Sequence, residues 1–274
     1  GQLAEVAERP AAVLGDVEEA LDEPFDGVEL SKCTALEQNV LWEKQLISRI
    51  LLKNPAHRSA YISNDRSMSI LINEENHLRI QAMTAGFDLK TPYERASRVD
   101  DVFEAKLDFA FDEKLGYLTS CPTDLGTGLR ASVMLHLPGL VYTENIGNIL
   151  NISPQIGLSM TAMYGEGAES AGNVFAVANK LSLGLTEREL SDNLRISVGE
   201  IVAQERRARK SLMLYDKERI EDEVWRAYGV LHYARALGDG ETLALLSRVR
   251  LGVDLGIIAG LASSVFGDIL IASR

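Results

Sequence analysis

Apolar residues along this chain recur first at helical spacing, then in short alternating runs, then at helical spacing again to the end. Residues 1–30 are rich in Ala, Glu and Leu with two prolines, and predict a helix and a loop. Leu36, Val40, Leu41, Leu46 and Ile47 share one face of a helix over 34–52. Residues 59–63 and 67–73 predict two strands joined by Asn64-Asp65-Arg66, a hairpin signal, and 77–83 continues in the same manner. Thr91-Pro92-Tyr93-Glu94 has the form of a capping box with proline at the first helical position. Behind it Ala96, Val99, Phe103, Leu107 and Ala110 make one apolar face. Strands are expected again at 117–120, 129–136, 157–164 and 172–180. A second capping box, Thr186-Glu187-Arg188-Glu189, opens a long helix with Leu190, Leu194, Val198, Ile201 and Val202 inward. Everything after it reads as helix.

That order is α+β: a mixed domain over 1–209 followed by an all-helical one over 210–274, with the boundary in the basic run Arg206–Lys210, which reads as a solvated helix end. The length of 274 residues allows a sizeable core, in one large domain or two. A net charge of −12 leaves no basic excess to pair with phosphates and argues against a nucleic-acid binder. Cys33 and Cys121 are too few for a disulfide scaffold or a Cys-rich zinc site, so a reducing, cytoplasmic setting is the expectation. The most membrane-like stretch, 251–273, is interrupted by Asp254 and Asp268; its uncharged run of thirteen residues is too short to span a bilayer and reads as buried helix. The chain begins at Gly1 and stops at Arg274 after an apolar segment, and both ends read as cut.

Candidate chemistry gathers in three places. Asn73-Glu74-Glu75-Asn76-His77-Leu78-Arg79 sets paired carboxylates directly after a strand. Residues 117–134 run through a Cys121-Pro122 corner and a loop with Gly126 and Gly128 to Arg130. Tyr164-Gly165-Glu166-Gly167 holds an acid between glycines. Each alone is an ordinary turn. Together they supply what phosphoryl transfer to a cationic acceptor requires: carboxylates to orient a guanidinium and take its proton, arginines to neutralise a triphosphate, and a flexible loop to exclude water.

These motifs resemble those of the phosphagen (guanidino) kinase family. Met134-Leu135-His136-Leu137-Pro138 and the tail motif Arg250-Leu251-Gly252-Val253-Asp254-Leu255-Gly256 are similar to the branch that phosphorylates arginine in proteins and marks them for Clp proteolysis. The resemblance implies a catalytic domain with an antiparallel sheet flanked by helices and a helical dimerisation or docking domain. It implies Glu75 as catalytic base, Glu166 as second guanidinium carboxylate and Cys121 beside the guanidinium. Nucleotide contacts are implied at Arg79, Arg130, Ala131, Ser132, Val133, Met134, Thr161 and Gly165. ATP would be the donor, with Mg²⁺ bridging its phosphates and no protein-held metal. The implied partners are protein substrates with exposed arginine, Clp chaperone or repressor proteins, and a second copy in a homodimer, with no membrane or nucleic acid.

Four positions depart from the family pattern. Thr161 stands where the family places an arginine, Gln45 where it places a histidine, Asn76 for an Asp, and Asp124 for an Asn. Asp124 brings negative charge into a loop expected to face phosphate. A Ser-x-Arg-Ile-Arg motif would precede Gly1, and an Arg-Asp-x-x-Arg docking motif would follow Arg274. An arginine on a transferring phosphoryl group is commonly worth about 10³-fold or more in rate. Two accounts therefore stay open: an arginine kinase, or a weakened relative that binds arginine or phosphoarginine as an adaptor. A kinase for free arginine is a third, weaker reading.

Overall fold

The structure is a computed structural model that describes residues 2–166, 169–262, 265–266 and 269. It divides into two compact units, Gly1–Gly128 and Leu129–Arg274.

The first unit is built on an antiparallel sheet in the order β1 (Phe25–Glu29), β2 (Ser59–Ser63), β3 (Met68–Ile72), β4 (Leu78–Ala82). Side chains alternate across β3. Met68, Ile70 and Ile72 enter a core with Val13 and Val17 of α1 (Gln2–Leu21) and Val99 and Phe103 of α4 (Lys90–Glu104). Leu71 enters another core, with Leu46, Leu51 and Ile62, beside α2 (Ala35–Glu43) and α3 (Arg49–Lys53). A short hairpin, β5 (Phe111–Asp112) and β6 (Gly116–Tyr117), leads to the cysteine loop.

Four expectations change here, the first being that the strand expected over 117–120 is reduced to Gly116–Tyr117. The loop expected before residue 30 contains strand β1, whose Asp26 and Gly27 hide the alternation around buried Phe25. The helix expected over 34–52 stops at Glu43. There Gln45 takes a left-handed φ of 58°, its N–H donates to Trp42 O, and the N–H of fully buried Leu46 reaches back to Leu41 O. This is a helix-terminating loop usually made by glycine. The Thr91 box does not form. Helix α4 begins two residues earlier, at Lys90, and Asp88 Oδ1 accepts from Lys90 N and Thr91 N at 2.9 and 3.1 Å.

The second unit carries an antiparallel sheet in the order β7 (Ser132–His136), β11 (Val174–Asn179), β8 (Leu158–Ala162), and a hairpin of β9 (Gly165–Glu166) and β10 (Glu169–Ser170). Two short helices, α5 (Pro138–Tyr142) and α6 (Ile146–Ile152), lie between β7 and β8. The Thr186 capping box forms as expected and opens α7 (Glu187–Tyr215), 29 residues long. Helices α8 (Lys217–Tyr233) and α9 (Asp239–Asp254) then close a core of Leu212, Ile220, Val224, Leu245 and Val249. The basic run 206–210 is therefore the interior of α7 and not its end. Arg209 bonds Glu205 Oε1 at 2.5 Å, Asp254 Oδ2 at 2.9 Å and His136 O at 3.2 Å. Buried Glu205 in turn accepts from Gly139 N and Leu140 N at 2.9 and 2.8 Å, capping α5. The apolar stretch after 251 is not a continuous helix. Gly256, at φ 74°, donates to Val253 O, and Ile257 N donates to Gly252 O, which ends α9.

Candidate active site

In the first unit, β3 ends in a turn set by Asn73 at φ 56°. Its amide donates to Leu3 O and His57 O at 2.9 Å each, and its Oδ1 lies 3.1 Å from His77 Nδ1. The turn so held carries both glutamates, with opposite fates. Glu74 is buried, pairs with Arg79 Nη1 at 3.0 Å, and accepts from Glu75 N at 2.9 Å. Glu75 is exposed. Arg79 keeps 40% of its side chain in solvent, so part of its guanidinium is open to a ligand while Glu74 holds the rest.

The cysteine loop is clasped at its ends. Tyr117 N donates to Gly126 O at 2.8 Å, and a Cβ on Gly116 would lie 2.2 Å from that oxygen, so only glycine fits. Gly126 and Gly128 have φ of 113° and 67°, the permissive conformations their presence suggested. At the loop tip Cys121 Sγ is 2.9 Å from Thr123 Oγ1, and Asp124 N donates to Cys121 O at 3.1 Å. Ser120 N donates to Asn76 Oδ1 at 2.7 Å and ties the loop to the glutamate turn. As a result a carboxylate oxygen of Glu75, the sulfur of Cys121 and a carboxylate oxygen of Asp124 all lie within 4.8 Å of one another. Two of the three expected catalytic residues are thus brought together, and Asp124 joins them.

In the second unit, strand pairing sorts the expected nucleotide residues. Ala176 is in register with Met134 on one side and Thr161 on the other, and Ala178 with Ser132 and Ser159. Ser132, Met134 and Thr161 therefore stand on one open face, over the small side chain of Ala176. Val133 is opposite Val177, which is fully buried, so its side chain lies on the covered face. Arg130 is exposed. Sequence reasoning missed Asn179, which is buried and brackets that arginine: its Oδ1 accepts from Ala131 N at 2.8 Å and its Nδ2 donates to Leu129 O at 3.0 Å. Gly165 and Glu166 form β9, with Glu166 in register with Glu169; the side chain of Glu166 and residues 167–168 lie outside the described residues.

No helix among the described residues is long and apolar enough to cross a membrane. A thiol among carboxylates is a poor donor set for Mg²⁺, which asks for oxygen ligands, so the Glu75–Cys121–Asp124 group does not fit a resident magnesium ion.

A carboxylate pair and a thiol on a clasped loop, and an arginine presented beside an open sheet, are groups suited to a guanidino acceptor and a phosphorylated donor. The family comparison agrees: residues 5–208 match the model for the ATP:guanido phosphotransferase C-terminal catalytic domain, and the chain belongs to that family. Within it the chain groups with the protein-arginine kinases, since residues 217–274 match the C-terminal domain of the protein-arginine kinase McsB. A protein-arginine kinase of Desulforamulus reducens is 47% identical over 260 residues, covering 94% of this chain and 73% of the relative. That of Bacillus subtilis is 43% identical, covering 90% and 68%. Among solved structures, lombricine kinase aligns with a TM-score of 0.62 at 26% identity, covering 75% of this chain and 60% of that one. The duplicated taurocyamine kinase of Schistosoma mansoni shares the fold at a TM-score of 0.67 and 24% identity, covering 81% of this chain and 33% of that one.

Proposed function

We propose that this protein transfers the γ-phosphoryl group of ATP to the guanidino group of arginine side chains in proteins. The observation that carries the reading is the convergence of Glu75 and Cys121 at one point, in a chain whose near relatives are named protein-arginine kinases. Glu75 takes the proton from the attacking nitrogen, Cys121 orients the guanidinium, the bond from phosphorus to the ADP oxygen breaks and an N–P bond forms. Arg79 and Arg130 neutralise the phosphates as a planar fork does best. Mg²⁺ enters with ATP as part of the substrate. The reading carries with it a cytoplasmic setting, protein partners with exposed arginines, a link to Clp proteolysis and a homodimer formed through the helical tail.

Thr161 favours one rival. It stands on the same open face as Met134, across Ala176, with no charge to offer a phosphate, which suits an adaptor that binds arginine or phosphoarginine without turnover. The test is incubation with Mg-ATP and an arginine-containing protein, followed by mass spectrometry for phosphoarginine, with nucleotide binding measured by calorimetry. The kinase reading expects phosphoarginine, falling by about 10²–10⁴-fold in Glu75→Gln. No ATP binding together with retained phosphoarginine binding would overturn it in favour of the adaptor.

A further inference from the structure

Asp124 carries the wrong charge for a loop that faces phosphate, yet its carboxylate has a defined neighbourhood. It lies within 4.8 Å of both Glu75 and Cys121, the two groups already placed around the acceptor, and not merely on the same loop. Inside the loop it accepts a long bond, 3.5 Å, from Thr123 Oγ1. We infer that Asp124 is a specificity-determining residue of the acceptor site: a second carboxylate beside Glu75 that selects a charged guanidinium over a neutral acceptor of the same shape. The inference rests on the reading above, that the acceptor is a guanidino group.

The chemistry follows from the shape of the ligand. A guanidinium presents five N–H donors around a plane and keeps its charge at all relevant pH values. Two carboxylates and a sulfur at mutual distances within 4.8 Å can each meet a different edge of that plane. Without a cation the two carboxylates repel each other, and two bonds keep the segments that carry them close. Ser120 N is bonded to Asn76 Oδ1, next to Glu75, and the Tyr117–Gly126 clasp closes the loop on the other side. Binding a guanidinium relieves that repulsion, whereas a neutral urea-type group does not. Asp124 takes no proton and forms no bond in the transfer; its contribution is attraction and orientation before the chemistry.

Asp124→Asn removes the charge and keeps the shape. Binding of an arginine peptide, and of the same peptide with citrulline as its neutral isostere, is measured by calorimetry in the presence of Mg-ADP. The wild type is expected to prefer arginine. In Asp124→Asn arginine affinity should fall by about tenfold, citrulline affinity should hold, and ADP affinity should not fall. A thermal melt checks that the variant is folded, and Asp124→Ser repeats the charge loss if Asn disturbs the loop. If the wild type binds arginine and both variants bind it equally well, with ADP bound more tightly, Asp124 faces the phosphates and this inference fails alone. If the wild type binds ADP but shows no preference for arginine over citrulline, the inference and the proposed function fail together.

Discussion

Asn179 shows how one buried amide can fix the backbone that presents an exposed arginine. Its side chain holds the backbone on both sides of Arg130, at Leu129 O and Ala131 N, and reaches Leu181 O at 3.4 Å. Asn179→Ala would remove the Asn179 amide as partner of the part-buried Ala131 N–H and Leu129 carbonyl, at about 1–3 kcal/mol in all. Urea denaturation should therefore show a loss of about 1–3 kcal/mol, and nucleotide affinity should fall with it as Arg130 loses its fixed position. Nothing local in the sequence announces this residue. It lies 48 positions from Ala131, and only the β7–β11 register brings them together. Glu75 and Cys121 could be singled out, and are found close together, because their motifs are long and particular. The company of Asp124 was not, because the direction of a loop side chain depends on the clasp at Gly126 and the bond from Ser120 to Asn76.

At the scale of elements, helix ends and helix contacts decide most of what the periodicity left open. Thr186 caps α7 because its hydroxyl and Glu189 bond each other's backbone N–H groups. Thr91 has the same Thr-x-x-Glu spacing, but Asp88 reaches the free N–H groups first, so the pattern alone could not choose between them. The break at Gln45 was hidden for a related reason: glutamine seldom takes a left-handed φ, and the burial of Leu46 enforces it here. Where α8 crosses α9 the constraint is space. A Cβ on Gly252 would lie 2.3 Å from Val224 Cγ1. Gly252→Ala is expected to destabilise by about 1–3 kcal/mol through overpacking, seen as a lower melting temperature. Gly252→Ala with Val224→Ala should recover part of the loss, because the second change makes room for the added methyl.

For the molecule as a whole, acid stability is set in part by His136, at the end of β7. Its Nε2 is 2.9 Å from Ser247 Oγ on α9, while its buried Nδ1 has no partner among the described residues. Burial, and then the adjacent Arg209 guanidinium, push its pKa down from 6.5 to about 3; Asp254 opposes this and Arg250 adds to it. The folded chain thus refuses a proton that the unfolded chain accepts below 6.5. Stability is full above that pH and declines as pH falls toward 3, by up to about 2 kcal/mol between pH 7 and 5. Urea midpoints at those two pH values should differ more for the wild type than for His136→Gln, which cannot titrate. The α+β order and helical tail could be read from periodicity alone; the place of the basic run 206–210 inside α7 could not, because a composition change does not interrupt a helix. That helix has a mechanical consequence. At 29 residues, α7 is a beam of about 43 Å that packs against β11 and also supplies Leu212 to the α8–α9 core. Exchanging the tail for a relative's would have to be done at Asp216, where the helix ends, since a splice at 209/210 would divide the beam between two parents.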